Sequence, residues 1–165
     1  MAIRITLNVG GAVRVLTEIQ GRLTNLVPAL TAIKEVALDS IRQNFTDGGR
    51  PQAWAPLKWR QGTPLVDSGR LRASITGEVN ATSVVLGTNL PYAAIHQFGG
   101  TIQVPAMTAA PGKVLRFTTR DGSVVFTKRT SAHQVTIPAR PYMVLQPADE
   151  TTMAQIITAY LAKGL

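Results

Sequence analysis

The stretch from residue 64 to residue 100 constrains the fold most, because turn signals alternate there with short apolar runs. It contains Asp67-Ser68-Gly69, where Ser68 is a good helix N-cap whose hydroxyl can accept a backbone N–H two or three residues on. A short helical turn is expected directly after it. Residues 74–79 then alternate with the period of a strand, and a turn at 80–82 leads into a second strand at 83–88. The stretch therefore predicts a helical turn followed by a β-hairpin.

A second short helix is predicted where this hairpin ends. Asn89-Leu90-Pro91 places a proline in a first helical turn, where its missing N–H costs nothing. Gly99 stands where a left-handed C-terminal cap belongs.

Three longer helices are predicted outside this stretch. The longest spans about residues 28–45, and a helix at 12–22 precedes it, with Val13, Leu16 and Ile19 on its apolar face. A last helix begins near Pro147, where proline and two acidic residues suit a first turn. The apolar face of the longest helix comprises Leu30, Ile33, Ala37, Ile41 and Phe45, and that of the last comprises Met153, Ile156, Ile157, Tyr160 and Leu161.

The remaining strands are predicted at the N-terminus and in the second half of the chain. Residues 3–9 alternate cleanly, and Gly10-Gly11 predicts a turn after them. Residues 114–119 and 124–129 form a hairpin signal around Asp121-Gly122, and a two-residue type I′ turn there would place Phe117 opposite Phe126. Residues 133–137 alternate weakly and are expected to continue the sheet, whereas residues 101–112 are expected to be irregular.

These elements predict an α+β fold in one domain, residues 1–165, with a hairpin arm at about 113–129. A small, mainly antiparallel sheet should pack against the long N-terminal helix and the C-terminal helix, and the hairpin should protrude. The expected core consists of Leu30, Ile33, Ile41, Leu71, Ile75, Val84, Leu86, Ile95, Ile156 and Ile157.

Composition limits the classes of protein that the chain can belong to. Apolar residues make up 45% and charged residues 16%, which hints that partners cover part of the exterior. No cysteine is present, so disulfide frameworks and thiol nucleophiles are excluded. The first residues lack a signal-peptide pattern, and no apolar run approaches 18 residues, so a cytosolic start without membrane contact is expected.

The net charge of +8 is concentrated in two basic blocks, residues 50–72 and 113–140. Clustered Lys and Arg can neutralise phosphates, which favours contact with a nucleic-acid backbone. No helix-turn-helix, zinc or stacking signature accompanies them, so base-specific binding is not indicated. The alternative explanation of the blocks is contact with acidic neighbouring subunits, or simple solvation.

The loop at 50–64 holds both tryptophans, Trp54 and Trp59. They either pin the loop onto the core or act as anchors at a subunit contact, where Trp is enriched. The sequence leaves both alternatives open.

Catalytic patterns are missing from the sequence. Its two histidines, His96 and His133, have no metal-site spacing, and Ser68 lacks the Gly-x-Ser-x-Gly elbow. A small hydrolase would need carboxylates and His96 to converge in a cleft. We therefore expect no enzyme activity, no metal and no cofactor.

Four segments in order carry a family resemblance: PQAWAPLKWR, LVDSGRLRASI, VVLGTNLPYAAIHQFGG and IPARPY. They resemble the Mu-like phage virion morphogenesis proteins, which are grouped with tail completion proteins of contractile-tailed phages. The resemblance spans roughly residue 45 to the C-terminus. Its matching positions are Asp67, Ser68, Gly69, Arg70, Leu71, Gly87, Thr88, Asn89, Tyr92, His96, Gln97, Gly99, Pro138, Arg140 and Pro141.

The resemblance implies a structural protein of the virion, assembled in the bacterial host cytoplasm. It implies tail completion or a tail terminator at the head–tail neck, where copies of the chain form a ring, expected to be a hexamer, that joins head and tail and lets DNA pass. Neck or connector proteins and tail tube or sheath proteins would be its partners. The alternative function is a basic nucleic-acid-binding module without sequence preference.

Two sets of surface residues follow from these expectations. The candidates for subunit contacts are Trp54, Trp59, Arg60, Phe117, Arg120 and Phe126. The candidates for non-specific contact with phage DNA are Arg70, Arg72, Arg116, Lys128 and Arg129.

Overall fold

A computed structural model describes residues 10–58, 61–119 and 121–163 of the chain. Within these ranges the helices are α1 (Gly10–Leu23), α2 (Val27–Asp47), α3 (Arg70–Ala73), α4 (Ala93–Phe98) and α5 (Pro147–Ala162). The predicted N-terminal strand at 3–9 lies outside the described residues. The expected turn at Gly10-Gly11 is wrong, because both glycines belong to the first turn of α1.

The strands pair two by two in antiparallel hairpins and ladders. They are β1 (Thr76–Val79), β2 (Val84–Gly87), β3 (Gly100–Val104), β4 (Met107–Thr108), β5 (Leu115–Thr118), β6 (Val124–Thr127), β7 (Arg129–Thr130) and β8 (His133–Ile137). The pairs are β1 with β2, β3 with β8, β4 with β7, and β5 with β6. The prediction of an irregular segment at 101–112 is wrong for residues 101–104 and 107–108, because long-range pairing with β8 and β7 gives their backbone groups partners that local sequence does not reveal; the other residues of the segment are irregular.

The α+β class is confirmed, with a long helix α2, a C-terminal helix α5 and small antiparallel sheets. The chain forms two compact units. The first takes its described residues from Met1–Gln43, Ile75–Thr88 and Val144–Leu165, and the second from Asn44–Ser74 and Asn89–Met143.

In the first unit, one face of α2 supplies the buried side chains Ala37, Leu38 and Ile41. The β1–β2 hairpin lies close to this helix at Gly77, where an added Cβ would stand 2.9 Å from the Lys34 side chain. Polar contacts join the helices: the buried Ser40 hydroxyl donates to Asp149, a residue of the capping box that begins α5.

The exposed apolar side chains of the first unit differ from the expected faces. Val13 and Leu16 of α1 are exposed, whereas Ile19 is half-buried, because α1 turns its other side toward α5 and Arg22 donates to the Leu161 carbonyl. The expected burial of Ile157 is also wrong, since 38% of it is exposed. Of the other expected core residues, Ile41, Leu71 and Ile75 are buried, and Leu30, Ile33, Val84, Leu86, Ile95 and Ile156 are half-buried.

In the second unit, the core is built on three aromatic rings. Phe45 packs edge-on against Trp54, at 5.6 Å between ring centroids, and in a tilted arrangement against Tyr142, at 5.4 Å. The buried Asn44 amide donates to the Tyr142 carbonyl at 2.8 Å. These contacts tie the end of α2 to the segment that follows β8.

The β5–β6 hairpin is present, but its register differs by one residue from the expected one. Phe117 pairs with Val125 and Arg116 with Phe126, so the two phenylalanines lie on opposite faces. Thr119 and Ser123 close a turn one residue longer than type I′, in which Gly122 has a φ of 86°. The Asp121 carboxylate accepts hydrogen bonds from Thr119 and Ser123, which favours this longer turn.

Candidate functional site

The second unit contains a cavity of about 360 Å³ at which all four resemblance segments meet. The loop at Leu57, residues 67–71, helix α4 and the segment after β8 come from distant parts of the sequence, and each lines the cavity. The lining residues are Leu57, Leu65, Asp67, Ser68, Gly69, Arg70, Leu71, Tyr92, His96 and Arg140.

Arg140 is the most deeply buried charged group at this cavity, with 7% of the residue exposed. Its guanidinium donates from Nε to the Ala55 carbonyl at 3.0 Å and from Nη2 to the Pro56 carbonyl at 3.3 Å. Its backbone N–H donates to the His96 carbonyl at 2.8 Å. Burial lowers the pKa of Arg140 from its ordinary value. The guanidinium is therefore held in place by main-chain groups.

His96 lies beside Arg140, and its ring packs edge-on against Tyr92 at 5.9 Å between centroids. Burial first, and then the positive charge of Arg140, lower the pKa of His96. The ring is accordingly neutral at pH 7. Its buried Nδ1 has no hydrogen-bond partner among the described residues.

The turn before α3 forms another wall of the cavity. Gly69, rather than Ser68, is the N-cap of α3, and its φ of 72° is in the left-handed region that favours glycine. The Ser68 hydroxyl still accepts a long bond from the Arg70 N–H at 3.4 Å. The expected N-cap is thus one residue off, while the expected bond is present. Leu71 is buried beneath this turn.

Other resemblance residues hold these walls together without lining the cavity. Gln97 Oε1 accepts from the backbone N–H groups of Tyr142 at 2.9 Å and of Met143 at 3.0 Å. Gly99, with a φ of 73°, approaches Ala139 so closely that an added Cβ would stand 2.7 Å from its nitrogen. Pro138 and Pro141 flank Arg140 in the same segment.

Tyr142 was missing from the sequence-based candidates, although it is the last residue of IPARPY. Only 1% of it is exposed, and its hydroxyl donates to the Ala93 carbonyl at 3.2 Å. The available signal was an aromatic residue at the end of the Pro-Ala-Arg-Pro segment. Gly87 and Thr88, in contrast, belong to the first unit, and Asn89 lines a separate cavity with Arg70 and Pro91.

The candidates for subunit contacts separate into buried and exposed residues. Trp54 has 7% of its area exposed and donates from Nε1 to the Pro141 carbonyl at 2.9 Å, so it pins its loop onto the core. Phe117 is 37% exposed and Phe126 60% exposed. Trp59, Arg60 and Arg120 lie outside the described residues.

The candidates for DNA contact are all exposed, and they lie in two separate parts of the chain. Arg70 and Arg72 belong to α3, whereas Arg116, Lys128 and Arg129 belong to the hairpin and the strand after it. Within the described part of the chain, none of the five forms an ion pair, since those found lie between residues 14 and 50. Lys128 and Arg129 line a cleft of about 390 Å³ together with Lys113.

The described residues do not assemble a recognisable catalytic or metal centre. Asp67, Ser68 and His96 do line one cavity, but the His96 Nδ1 is bonded to neither of the other two. A search of the same residues found no group of three or more His, Cys, Asp or Glu side chains placed to hold a metal ion. None of the described helices combines the length and the apolar character that crossing a bilayer requires.

Comparison with known proteins identifies the class. The model of the phage virion morphogenesis family matches residues 7–162, nearly the whole chain. The chain therefore belongs to the phage virion morphogenesis family, and its role is structural, in the assembly of phage particles.

Two relatives extend the comparison to individual proteins. The chain is 41% identical over 133 residues to the Mu-like prophage FluMu G protein 2 of Haemophilus influenzae, which covers 81% of this chain and 76% of the relative. It is 30% identical over 149 residues to the putative capsid assembly protein G of Escherichia phage Mu, covering 85% and 78%. No solved structure matches the chain.

Proposed function

We propose that this protein completes the phage tail at the head–tail neck, where copies of it close into a ring, expected to have six members, that joins head and tail and lets DNA pass. Neck or connector proteins would contact one side of the ring, and tail tube or sheath proteins the other. Membership in the virion morphogenesis family supports the assembly role. The observation that supports the ring is the apolar hairpin formed by β5 and β6.

Both faces of this hairpin carry exposed apolar side chains. Phe117 and Val125 lie on one face, and Val124 and Phe126 on the other, each at least 37% exposed. A two-stranded hairpin is marginally stable in water, and exposed apolar area of this kind marks contact surfaces. An arm with exposed apolar side chains on both faces is more stable packed between other chains than exposed to solvent.

A second apolar surface lies on a different element. Val13, Leu16 and Leu23 are exposed on α1 of the first unit, each more than half. Two different contact surfaces on one chain are what a head-to-tail assembly needs, and such an assembly closes into a ring when its rotation divides the circle. An isologous dimer would need only one such surface.

The test shortens the hairpin along its observed register. Replacing residues 116–126 by Asn-Gly joins Leu115 to Thr127, which already pair, through a two-residue turn that favours this geometry. We expect a folded protein that no longer forms the closed oligomer by native mass spectrometry and fails to complement a phage that lacks the gene. Infectious particles at normal yield would show that the hairpin is not an assembly arm.

A point variant and a matched control make the test sharper. Phe126→Ser removes one exposed ring, whereas Val85→Ser changes a comparably exposed residue, 56% against 60%, on the β1–β2 hairpin. Only the first should weaken the oligomer. Imaging of assembled particles tests the ring separately, and single copies at the neck would refute it.

The alternative function, non-specific DNA binding, is favoured by one observation. Lys113, Lys128 and Arg129 line one cleft and form no ion pairs with described residues. Within a ring, such a surface would screen passing DNA through its phosphates and leave the bases unread. We therefore treat DNA contact as part of the neck role rather than as a separate activity.

A further inference from the structure

We propose that the cavity around Arg140 is a binding site for a carboxylate, and that its occupant is an acidic side chain of a neighbouring protein in the virion. The identity of the neighbour rests on the proposed assembly role. The binding itself does not, because it is a property of one folded chain.

The first argument comes from the guanidinium of Arg140. Two of its five N–H donors are used on the Ala55 and Pro56 carbonyls, and Arg140 forms no ion pair with any described residue. A buried cation without a counter-ion is costly, and a carboxylate matches the planar fork of arginine with two parallel hydrogen bonds. The cavity therefore favours a carboxylate over a neutral group.

The second argument comes from the ring beside it. His96 lines the same cavity, and its buried Nδ1 has no hydrogen-bond partner among the described residues. Such a nitrogen is rare in folded proteins and calls for an explanation. A carboxylate bound at Arg140 would give His96 an anionic partner and would favour its protonated form.

The remaining walls limit the size and the source of the ligand. Leu57, Leu65 and Leu71 supply apolar surface, and about 360 Å³ accommodates one acidic side chain with part of its backbone. Among the charged lining residues, Arg70 and Arg140 outnumber Asp67. Because 93% of Arg140 is buried, a single side chain can enter where the rigid backbone of a DNA duplex cannot follow.

The experiment titrates the purified full-length protein with the peptide acetyl-Gly-Glu-Gly-amide and follows the two histidine rings by NMR. His133 is the internal reference, because it lies on the exposed strand β8. We expect saturable shifts of the His96 signals and a move of the His96 titration midpoint to higher pH, with His133 unchanged. The matched peptide with Gln in place of Glu should have no effect.

Two variants locate the site. Arg140→Gln should abolish the response, whereas Lys113→Gln removes the same charge at the base of the hairpin and should preserve it. Since Arg140 also bonds two carbonyls, Ser68→Trp serves as a second variant: it fills the cavity from an exposed wall position and should abolish the response without touching those bonds.

Three outcomes would overturn the proposal. In the first, the Glu peptide leaves the His96 NMR signals unchanged. In the second, inorganic phosphate shifts these signals as strongly as the peptide does. In the third, a duplex oligonucleotide shifts them more than the peptide does. The first would remove the site, and the other two would make it a phosphate site. None of them bears on the hairpin experiment, which tests the ring.

Discussion

Replacing Gln97 tests whether its amide oxygen holds α4 to the segment after β8. The variant is Gln97→Met, which keeps the length of the side chain and loses the acceptor. Gln97 Oε1 accepts from two backbone N–H groups, those of Tyr142 and Met143. No other part of the side chain is needed for this contact, so a loss of folding stability in the variant can be assigned to these two hydrogen bonds.

The magnitude follows from the burial of the two N–H groups. Tyr142 is 1% exposed, so its N–H would find no other acceptor, and the loss of this bond should cost about 1–3 kcal/mol of stability. Met143 is half-buried and water can reach its N–H, so the loss of the second bond should cost roughly 0.5–1.5 kcal/mol. The sum predicts a loss of about 1.5–4.5 kcal/mol in the free energy of unfolding. Gln97→Glu retains an acceptor and should stay within about 1 kcal/mol of the parent protein.

Urea denaturation measures the free energy of unfolding of the protein, and amide hydrogen exchange measures the local stability around Tyr142. We expect the exchange of the Tyr142 amide to accelerate by roughly 10- to 2,000-fold in the Met variant, since about 1.4 kcal/mol corresponds to a factor of ten. A Met variant with unchanged stability and unchanged Tyr142 protection would refute the assignment. Equal decreases in the free energy of unfolding of the Met and Glu variants would show that the packing of the Gln97 side chain, and not its acceptor oxygen, stabilises this contact.

Further predictions concern the core, the pH dependence and DNA. Ile41→Ala should cost about 2–5 kcal/mol by urea denaturation, whereas Ile157→Ala at a partly exposed site should cost about 1 kcal/mol, and equal losses would contradict the core assignment. The pKa of His96 in the folded protein lies below its usual 6.5, so the stability that neutral His96 contributes is present above pH 6.5 and is lost as the pH falls through the folded-state pKa. His96→Asn should flatten this part of the curve of unfolding free energy against pH. Binding to DNA should be weak, indifferent to sequence and steeply salt-dependent, and the double variant Lys128→Gln, Arg129→Gln should reduce the salt slope by about two, as measured by fluorescence anisotropy. Tight, sequence-selective binding at physiological salt would contradict the last prediction.

The hairpin shows where local sequence stops being informative. Alternation and Asp121-Gly122 were enough to predict two strands and their turn. They were not enough to predict the register, because the side-chain bonds of Asp121 favour a turn one residue longer and thereby put Phe117 and Phe126 on opposite faces. A change of one residue in a turn is small in sequence terms and reverses every side chain of a strand.

Sequence patterns were enough to predict the elements whose signals are local: the long helix α2, the last helix α5 with its acidic first turn, the β1–β2 hairpin and the α+β class. They also indicated the family, through segments that resemble it in order. The folded chain was needed to see that β3 and β8 pair, that Trp54 is buried in the core, and that His96 and Arg140 line the same cavity as Ser68. The difference comes from distance along the chain. A cap, a turn or an amphipathic face depends on neighbours within a few residues. A cavity depends on side chains from distant segments, such as Ser68 and Arg140, which are more than 70 residues apart in the sequence.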